Sequence, residues 1–186
     1  LREICEEIQL SDISPYRSLE VFTEKDAEFF FGREHFINEL LKNLREEPRF
    51  IAVLGPSGSG KSSVIQAGLI PKLKQGEVPG SDKWTILEPS RPAALLTEGF
   101  DVFQKRICEL TYKNHTVLVI DHFFVQMLEG NFDLSFILVM RSDFQALLAD
   151  KADVLANWVD RSLLRIPPYL SVEELKQIIQ KPAEVV

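Results

Sequence analysis

Apolar residues follow two different periods along this chain, and the two periods separate predicted strands from predicted helices. Short continuous apolar runs predict buried strands, and they lie at 50–54, 84–87, 116–120, 136–140 and 163–166. Helical patterns separate these runs. Strands that are apolar on both faces and alternate with helices form parallel sheets. The pattern therefore predicts an α/β domain with a parallel sheet of about five strands.

Helical spacing and capping signals locate the predicted helices. The first has its apolar positions at Phe36, Ile37, Leu40, Leu41 and Leu44, and Pro48 ends it. Further helices are predicted over 62–70, with a loop from Pro71 onward, and over 101–112. Three capping signals, each a hydroxyl residue followed three positions later by Asp, Glu or Gln, predict helix starts. They are Thr23 with Asp26, Ser142 with Gln145, and Ser171 with Glu174.

A glycine-rich loop joins the first predicted strand to the following helix. Its residues, from Gly55 to Ser63, match G-x-x-x-x-G-K-[ST], the P-loop. In this motif successive backbone N–H groups and the helix N-terminus bind phosphates. Lys61 is expected at the terminal phosphates and Ser62 on Mg²⁺, which predicts a nucleoside triphosphate as the ligand. The predicted phosphate-binding residues are Pro56, Ser57, Gly58, Ser59, Gly60, Lys61, Ser62 and Ser63.

Two other predicted strands end in residues suited to the same ligand. In open α/β sheets the ligand lies beyond the carboxyl ends of the strands. Asp121 follows the run 116–120 and fits an acid that holds Mg²⁺; the alternative is a turn or cap aspartate. Arg141 follows the run 136–140 and fits a γ-phosphate sensor; the alternative is a surface ion pair. The predicted catalytic residues are Lys61, Asp121 and Arg141.

Composition narrows the class of partner. The chain has 186 residues and a net charge of −7, which argues against nucleic acid as a main partner. No apolar run is long enough to span a bilayer. Cys5 and Cys108 stand far apart without a C-x-x-C motif, which favours reduced thiols and a cytoplasmic location. Because Leu1 opens the chain and Val186 ends a helical pattern, we expect a fragment of a longer protein.

Several motifs together resemble one protein family. In order they are Ser14-Pro15-Tyr16, Phe22-Thr23-Glu24, Phe29-Phe30-Phe31-Gly32-Arg33-Glu34, the P-loop, Ala67-Gly68-Leu69-Ile70-Pro71, Val78-Pro79-Gly80-Ser81 and Leu170-Ser171-Val172-Glu173-Glu174-Leu175. The sequence resembles the nucleotide-binding domain of STAND NTPases, in particular the bacterial group related to AP-ATPases and NACHT proteins. The resemblance runs from about Ser14 to the C-terminus, and its most specific element is Phe-Phe-Gly-Arg-Glu.

The resemblance implies a three-layer P-loop NTPase core with a five-stranded parallel sheet and the start of a C-terminal helical lid. It divides the chain into a lead-in (1–22), the core (23–168) and the lid (169–186). It implies ATP or ADP and Mg²⁺ as cofactors, slow hydrolysis, and self-association on activation. Effector and sensor-repeat domains would lie outside this sequence. It also implies that Phe31, Gly32 and Arg33 contact the adenine side, and it supports a sensor role for Arg141.

One position departs from the family pattern. Relatives carry acidic residues after the strand-end aspartate, whereas this chain has Asp121-His122-Phe123. Either hydrolysis is impaired, or His122 and Phe123 are not covalent neighbours in the natural polypeptide. We favour the second alternative, because the crossover from Asp121 to Phe136 is short for a connection between parallel strands. The catalytic base is therefore not assigned.

Other functions fit parts of the pattern. A nucleotide-loaded scaffold that never hydrolyses would need no acid after Asp121. The P-loop sequence also suits guanylate kinases and ABC ATPases, but the chain has no Leu-Ser-Gly-Gly-Gln signature and no recognisable nucleotide-monophosphate lid. An AAA-type ATPase remains an alternative, against which the acidic charge counts.

Overall fold

The computed structural model describes residues 15–18, 20–46, 50–87, 105, 109, 115–120, 134–144 and 162–185. Its centre is a five-stranded sheet in which every pairing is parallel. The strands are β1 (Phe50–Gly55), β2 (Thr85–Ile86), β3 (Thr116–Ile120), β4 (Leu134–Arg141) and β5 (Leu163–Arg165). The predicted five-stranded parallel sheet is confirmed, and each strand overlaps the apolar run that predicted it.

The strand order β2-β3-β4-β1-β5 puts β1 inside the sheet. It pairs with β4, from Phe50 opposite Phe136 to Gly55 opposite Arg141, and with β5 on its other side. The carboxyl ends of β1 and β4 are therefore neighbours. The end of β3 lies two strand spacings from β1, which is roughly 10 Å. β4 lies between these two ends, and all three strand ends lie at the same edge of the sheet.

The helices flank this sheet. Those whose bounds fall within the described residues are α1 (Glu34–Glu46), α2 (Lys61–Ser63), α3 (Ile70–Lys74) and α4 (Val172–Val185), with a π-helical segment, Val64–Leu69, joining α2 to α3. Short 3₁₀ helices cover Glu24–Phe29, Ser81–Lys83 and Ser142–Phe144. The prediction of a three-layer α/β core is confirmed, while the assignment of α4 to a helical lid stays a prediction.

Two of the predicted capping boxes are confirmed. Thr23 and Asp26 form one at the start of the first 3₁₀ helix. At the start of α4, the Ser171 backbone N–H donates to Glu174 Oε2 at 2.6 Å, and the Glu174 N–H donates to Ser171 Oγ at 3.2 Å. Each box satisfies backbone donors that have no partner in the first helical turn.

The core lies between the sheet and the helices formed by α1 and by residues 61–74. All five apolar positions predicted for α1 are buried, and Leu40 has no exposed surface. β1 is buried along its whole length. Burying each such large apolar side chain contributes about 1.5–3 kcal/mol, so this packing fixes the strand that leads into the P-loop.

The predicted loop at Pro71 is wrong, because the helix continues through Lys74. The preceding residues are π-helical, and the Ile70 N–H donates to the Ile65 carbonyl five positions back. Pro71 then lies in the first turn of α3, where the N–H that proline lacks is tolerated. The change from π to α geometry therefore accommodates the proline that was expected to end the helix.

Some predictions fall outside the described residues. They concern Asp121, the link between His122 and Phe123, the third capping box, which needs Gln145, and most of the helix predicted over 101–112. Within that last range Lys105 and Glu109 are described and helical. Among the residues that the structure describes, no helix has the length and apolar character needed to cross a bilayer.

Candidate nucleotide-binding site

The P-loop leaves β1 at the carboxyl edge of the sheet and turns sharply into α2. Gly58 and Gly60 have φ of +75° and +81°, which favour glycine. A Cβ built on either residue would meet no atom within 4 Å, so the space above both residues is open. Gly55 differs, since a Cβ there would lie 2.2 Å from Ile166 Cγ2 and 2.7 Å from Ser59 Oγ. The loop is packed at its base and open on the side where a phosphate would bind.

Lys61 holds its ammonium group against the carbonyl groups of the loop. Its Nζ donates to the Gly55 oxygen at 3.0 Å and to the Pro56 oxygen at 2.7 Å, and the residue is 9% exposed. Ser59 also bonds the Pro56 oxygen, through its hydroxyl at 2.9 Å. A phosphate oxygen is a stronger acceptor for an ammonium group than a carbonyl, so the arrangement suits an anion.

A cavity of roughly 390 Å³ extends from the P-loop. Its polar end is formed by Gly58, Ser59, Gly60 and Ser63, and its apolar wall includes Phe22, Phe29, Phe30 and Phe31. The rings of Phe22 and Phe30 lie 5.6 Å apart between centroids. A phosphate-binding loop at one end and aromatic rings at the other match the two halves of a nucleotide. The Phe29–Phe31 cluster is thus both core and cavity wall, because Phe29 is also buried.

Arg33 lies in the wall of this cavity, although it is only 8% exposed. Its guanidinium donates to the Ser59 carbonyl at 3.3 Å and to the Pro167 carbonyl at 3.2 Å. Burial lowers its pKa, and the nearby Glu174 carboxylate partly opposes that shift. Arg33 therefore connects the P-loop to the segment that follows β5. Its predicted contact with the base stays a prediction.

Gly32 is where α4 packs against the core. Its φ is +80°, and a Cβ there would lie 2.7 Å from the Glu174 carbonyl oxygen and 2.6 Å from Ile178 Cγ1. The Lys181 ammonium lies 5.3 Å from the centroid of the Phe31 ring. Phe31 thus lines the cavity and contacts α4, whereas Gly32 packs against α4.

Arg141 ends β4 directly beside Gly55. Its guanidinium donates to Asp143 through Nε at 3.1 Å and Nη2 at 2.6 Å, and its side chain is half exposed. The position fits the predicted sensor, while the ion pair with Asp143 fits the alternative. A γ-phosphate would have to compete with Asp143 for this guanidinium.

The predicted magnesium site is described only in part. Ser62 lies in α2, and β3 ends at Ile120, immediately before Asp121. Within the described ranges, no three His, Cys, Asp or Glu side chains form a metal-binding group. P-loop sites need no such group, because the metal is held by a hydroxyl, phosphate oxygens and an acid. The position of Ser62 at the start of the P-loop helix fits that arrangement.

The sequence shows Tyr16 and Phe22 only as parts of motifs that carry the family resemblance, and it gives the residues before the core no role at the site. We call residues 15–18 and 20–22 the strap. The Phe22 N–H donates to Ser63 Oγ at 3.2 Å, Arg17 Nε donates to Asp26 Oδ1 at 3.1 Å, and the Tyr16 hydroxyl donates to the Ile179 carbonyl at 2.7 Å. The predicted lead-in, 1–22, contains the strap, and its local pattern does not signal contacts across 41 and 163 positions.

Asp26 anchors the strap. Burial favours its neutral form, but hydrogen bonds from Thr23 N at 2.9 Å and Thr23 Oγ1 at 2.8 Å, together with Arg17, hold its pKa below the ordinary value. Because the folded-state pKa is depressed, the stabilisation is fully present above the unfolded pKa of about 3.9. It is lost as the pH falls through the folded-state value.

We expect Asp26→Asn to destabilise the protein by about 1 kcal/mol at pH 7, since the capping box and the charge opposite Arg17 are weakened. The difference from wild type should shrink below about pH 4, as Asp26 in the wild type takes up its proton. Urea unfolding at pH 7 and pH 3.5 measures both values. Asp82→Asn, at an exposed position, is the control and should change stability little. A difference that persists undiminished at the lower pH would contradict the role of the charge.

A comparison of the sequence with models of known protein families also indicates a nucleotide-binding domain. The family model described as Novel STAND NTPase 1 matches residues 15–123, more than half of the chain. The match begins at the strap and includes the P-loop and β3. No match was found among curated proteins.

Proposed function

This chain belongs to the novel STAND NTPase 1 family, and we propose that it is the ATP-binding, signal-transduction NTPase module of a multidomain bacterial switch protein. Nucleotide controls its oligomerisation in the cytoplasm, and hydrolysis is slow. The observation that carries the proposal is the P-loop, which opens at its phosphate side into a cavity with an aromatic wall. Such a site accommodates a phosphate chain and a base together.

The proposal gives each site residue a role. The phosphates are bound by the Lys61 ammonium group and by the backbone N–H groups of residues 57–63. Ser62 and Asp121 would hold Mg²⁺, which neutralises charge between the β- and γ-phosphates. Arg141 would exchange Asp143 for the γ-phosphate. Phe31, Gly32 and Arg33 would contact the adenine side.

ATP or ADP with Mg²⁺ is expected to stabilise the protein against heat. A ligand at a hundred times its Kd adds about 2.7 kcal/mol, which corresponds to roughly 5–10 °C in Tm for a domain of this size. Differential scanning fluorimetry with and without millimolar nucleotide measures the shift, and GTP serves as the comparison for base preference. An unchanged Tm with every nucleotide would overturn the proposal.

A non-hydrolysing scaffold is the second candidate, and it is favoured by His122, which follows Asp121 where the family resemblance implies an acidic residue. Under either candidate, phosphate release by this chain should be far below the ordinary enzyme range of about 1–1000 per second. Single-turnover assays with radiolabelled ATP separate the two, since only the slow ATPase converts bound ATP to ADP over hours. Steady-state turnover within the ordinary range would instead favour a metabolic enzyme.

A further inference from the structure

The strap is fastened on both sides of the cavity. On the phosphate side, the Phe22 N–H donates to the hydroxyl of Ser63, the last residue of the P-loop motif. In the middle, Arg17 pairs with the buried Asp26. On the far side, the Tyr16 hydroxyl donates to the Ile179 carbonyl of α4. The strap therefore runs from the phosphate-binding helix to the lid helix, and Tyr16, Arg17 and Phe22 line the cavity along the way.

The end of the strap meets α4 close to Pro182. Pro182 lies inside α4 and cannot donate to the Ile178 carbonyl four residues earlier. The Ile179 carbonyl, one residue further on, is the group that accepts from Tyr16. Ile178 and Pro182 themselves line the cavity, so this part of α4 faces the same space as the strap.

We propose that Tyr16 is a positioning residue that fastens the strap to α4 and so closes the base end of the cavity on a bound nucleotide. This inference rests on the proposed function, and it adds a residue that determines affinity for the base rather than for the phosphates. The phosphate end is formed by Gly58, Ser59, Gly60 and Ser63 and does not include Tyr16. Loss of the Tyr16 hydroxyl should thus lower the affinity for a ligand that has a base, and it should leave the affinity for a bare phosphate chain unchanged.

The test compares Tyr16→Phe with Tyr169→Phe in the same chain. Tyr16→Phe keeps the ring in the cavity and removes only the hydroxyl that reaches α4. Tyr169 is 86% exposed and lies just before α4, which makes it the matched control. Calorimetry measures the affinity for Mg·ATP and for Mg·tripolyphosphate, and hydrogen exchange measures the protection of the α4 amides without ligand. An unchanged Tm of each variant shows that the fold is retained.

Tyr16→Phe is expected to weaken ATP binding roughly two- to tenfold, the range for one neutral hydrogen bond. Tripolyphosphate affinity should stay within about twofold, and the α4 amides should exchange faster than in wild type. Tyr169→Phe should match wild type in all three measurements. If Tyr16→Phe binds ATP as wild type does, or loses both ligands equally, the inference is overturned and the proposed function stands. If wild type binds neither ligand, the proposed function itself fails.

Discussion

Replacing Gly32 with alanine is expected to cost about 3 kcal/mol and to lower the Tm by roughly 6–12 °C. Gly32 has a positive φ of 80°, where an L-residue is strained by about 1–2 kcal/mol. The added Cβ would also lie 2.7 Å from the backbone oxygen of Glu174, which cannot move without moving α4. The contact with α4 should therefore be lost or strained in the variant.

Gly80→Ala is the matched control, since Gly80 has nearly the same φ, 82°, and no atom within 4 Å of a built Cβ. It should show only the backbone strain, about 1–2 kcal/mol. Thermal unfolding measures the difference between the variants, and hydrogen exchange reports whether α4 has separated from the core. Equal Tm values and equal α4 protection in both variants would mean that α4 does not pack on Gly32.

Replacing Lys61 with alanine is expected to remove most of the stabilisation by ATP and to weaken its binding roughly 10- to 150-fold. A charge-assisted hydrogen bond contributes about 1.5–3 kcal/mol, and that range sets the expected factor. In the described structure the lysine is already in the loop, bonded to the Gly55 and Pro56 carbonyl groups. We expect a phosphate oxygen to replace one of these carbonyl acceptors when ATP binds.

The measurement is the ligand-induced change in Tm, not the Tm itself, because loss of the two carbonyl contacts also affects the free protein. Lys42→Ala serves as the control, since the Lys42 side chain lies on α1 and is 69% exposed. It should respond to ATP as the wild type does. A full ligand-induced shift in Lys61→Ala would show that the anion binds elsewhere.

The strands and α1 could be predicted because each is encoded by its own local pattern. The run 116–120 has four consecutive apolar residues after Thr116 and became β3 with the same bounds. The P-loop could be found for a similar reason, since its glycines and lysine must stand at fixed spacing to surround a phosphate. Capping boxes were also readable, because both partners lie within four residues of each other.

What could not be predicted depends on contacts between distant segments. The Tyr16 hydroxyl bonds a carbonyl 163 positions away, and no periodicity in the strap signals it. Arg33 donates to the Ser59 carbonyl in the P-loop and to the Pro167 carbonyl after β5, and no local pattern signals these two contacts. Pro71 was misjudged because a π-helical segment precedes it, and π geometry has no simple sequence signature.

The π-helical segment at 64–69 also affects how this gene can change in length. A π segment takes up about one residue more than the α-helix it replaces, so removing one residue there would restore regular α geometry without breaking the helix. Because each residue of a π segment turns the chain by less than the roughly 100° of an α-helix, the shortened segment would turn through nearly the same angle. Leu69 and Leu73, now fully buried, would keep facing the core. A single-codon deletion should therefore be better tolerated here than in β1, where the loss of one residue would turn the following side chains to the opposite face of the sheet.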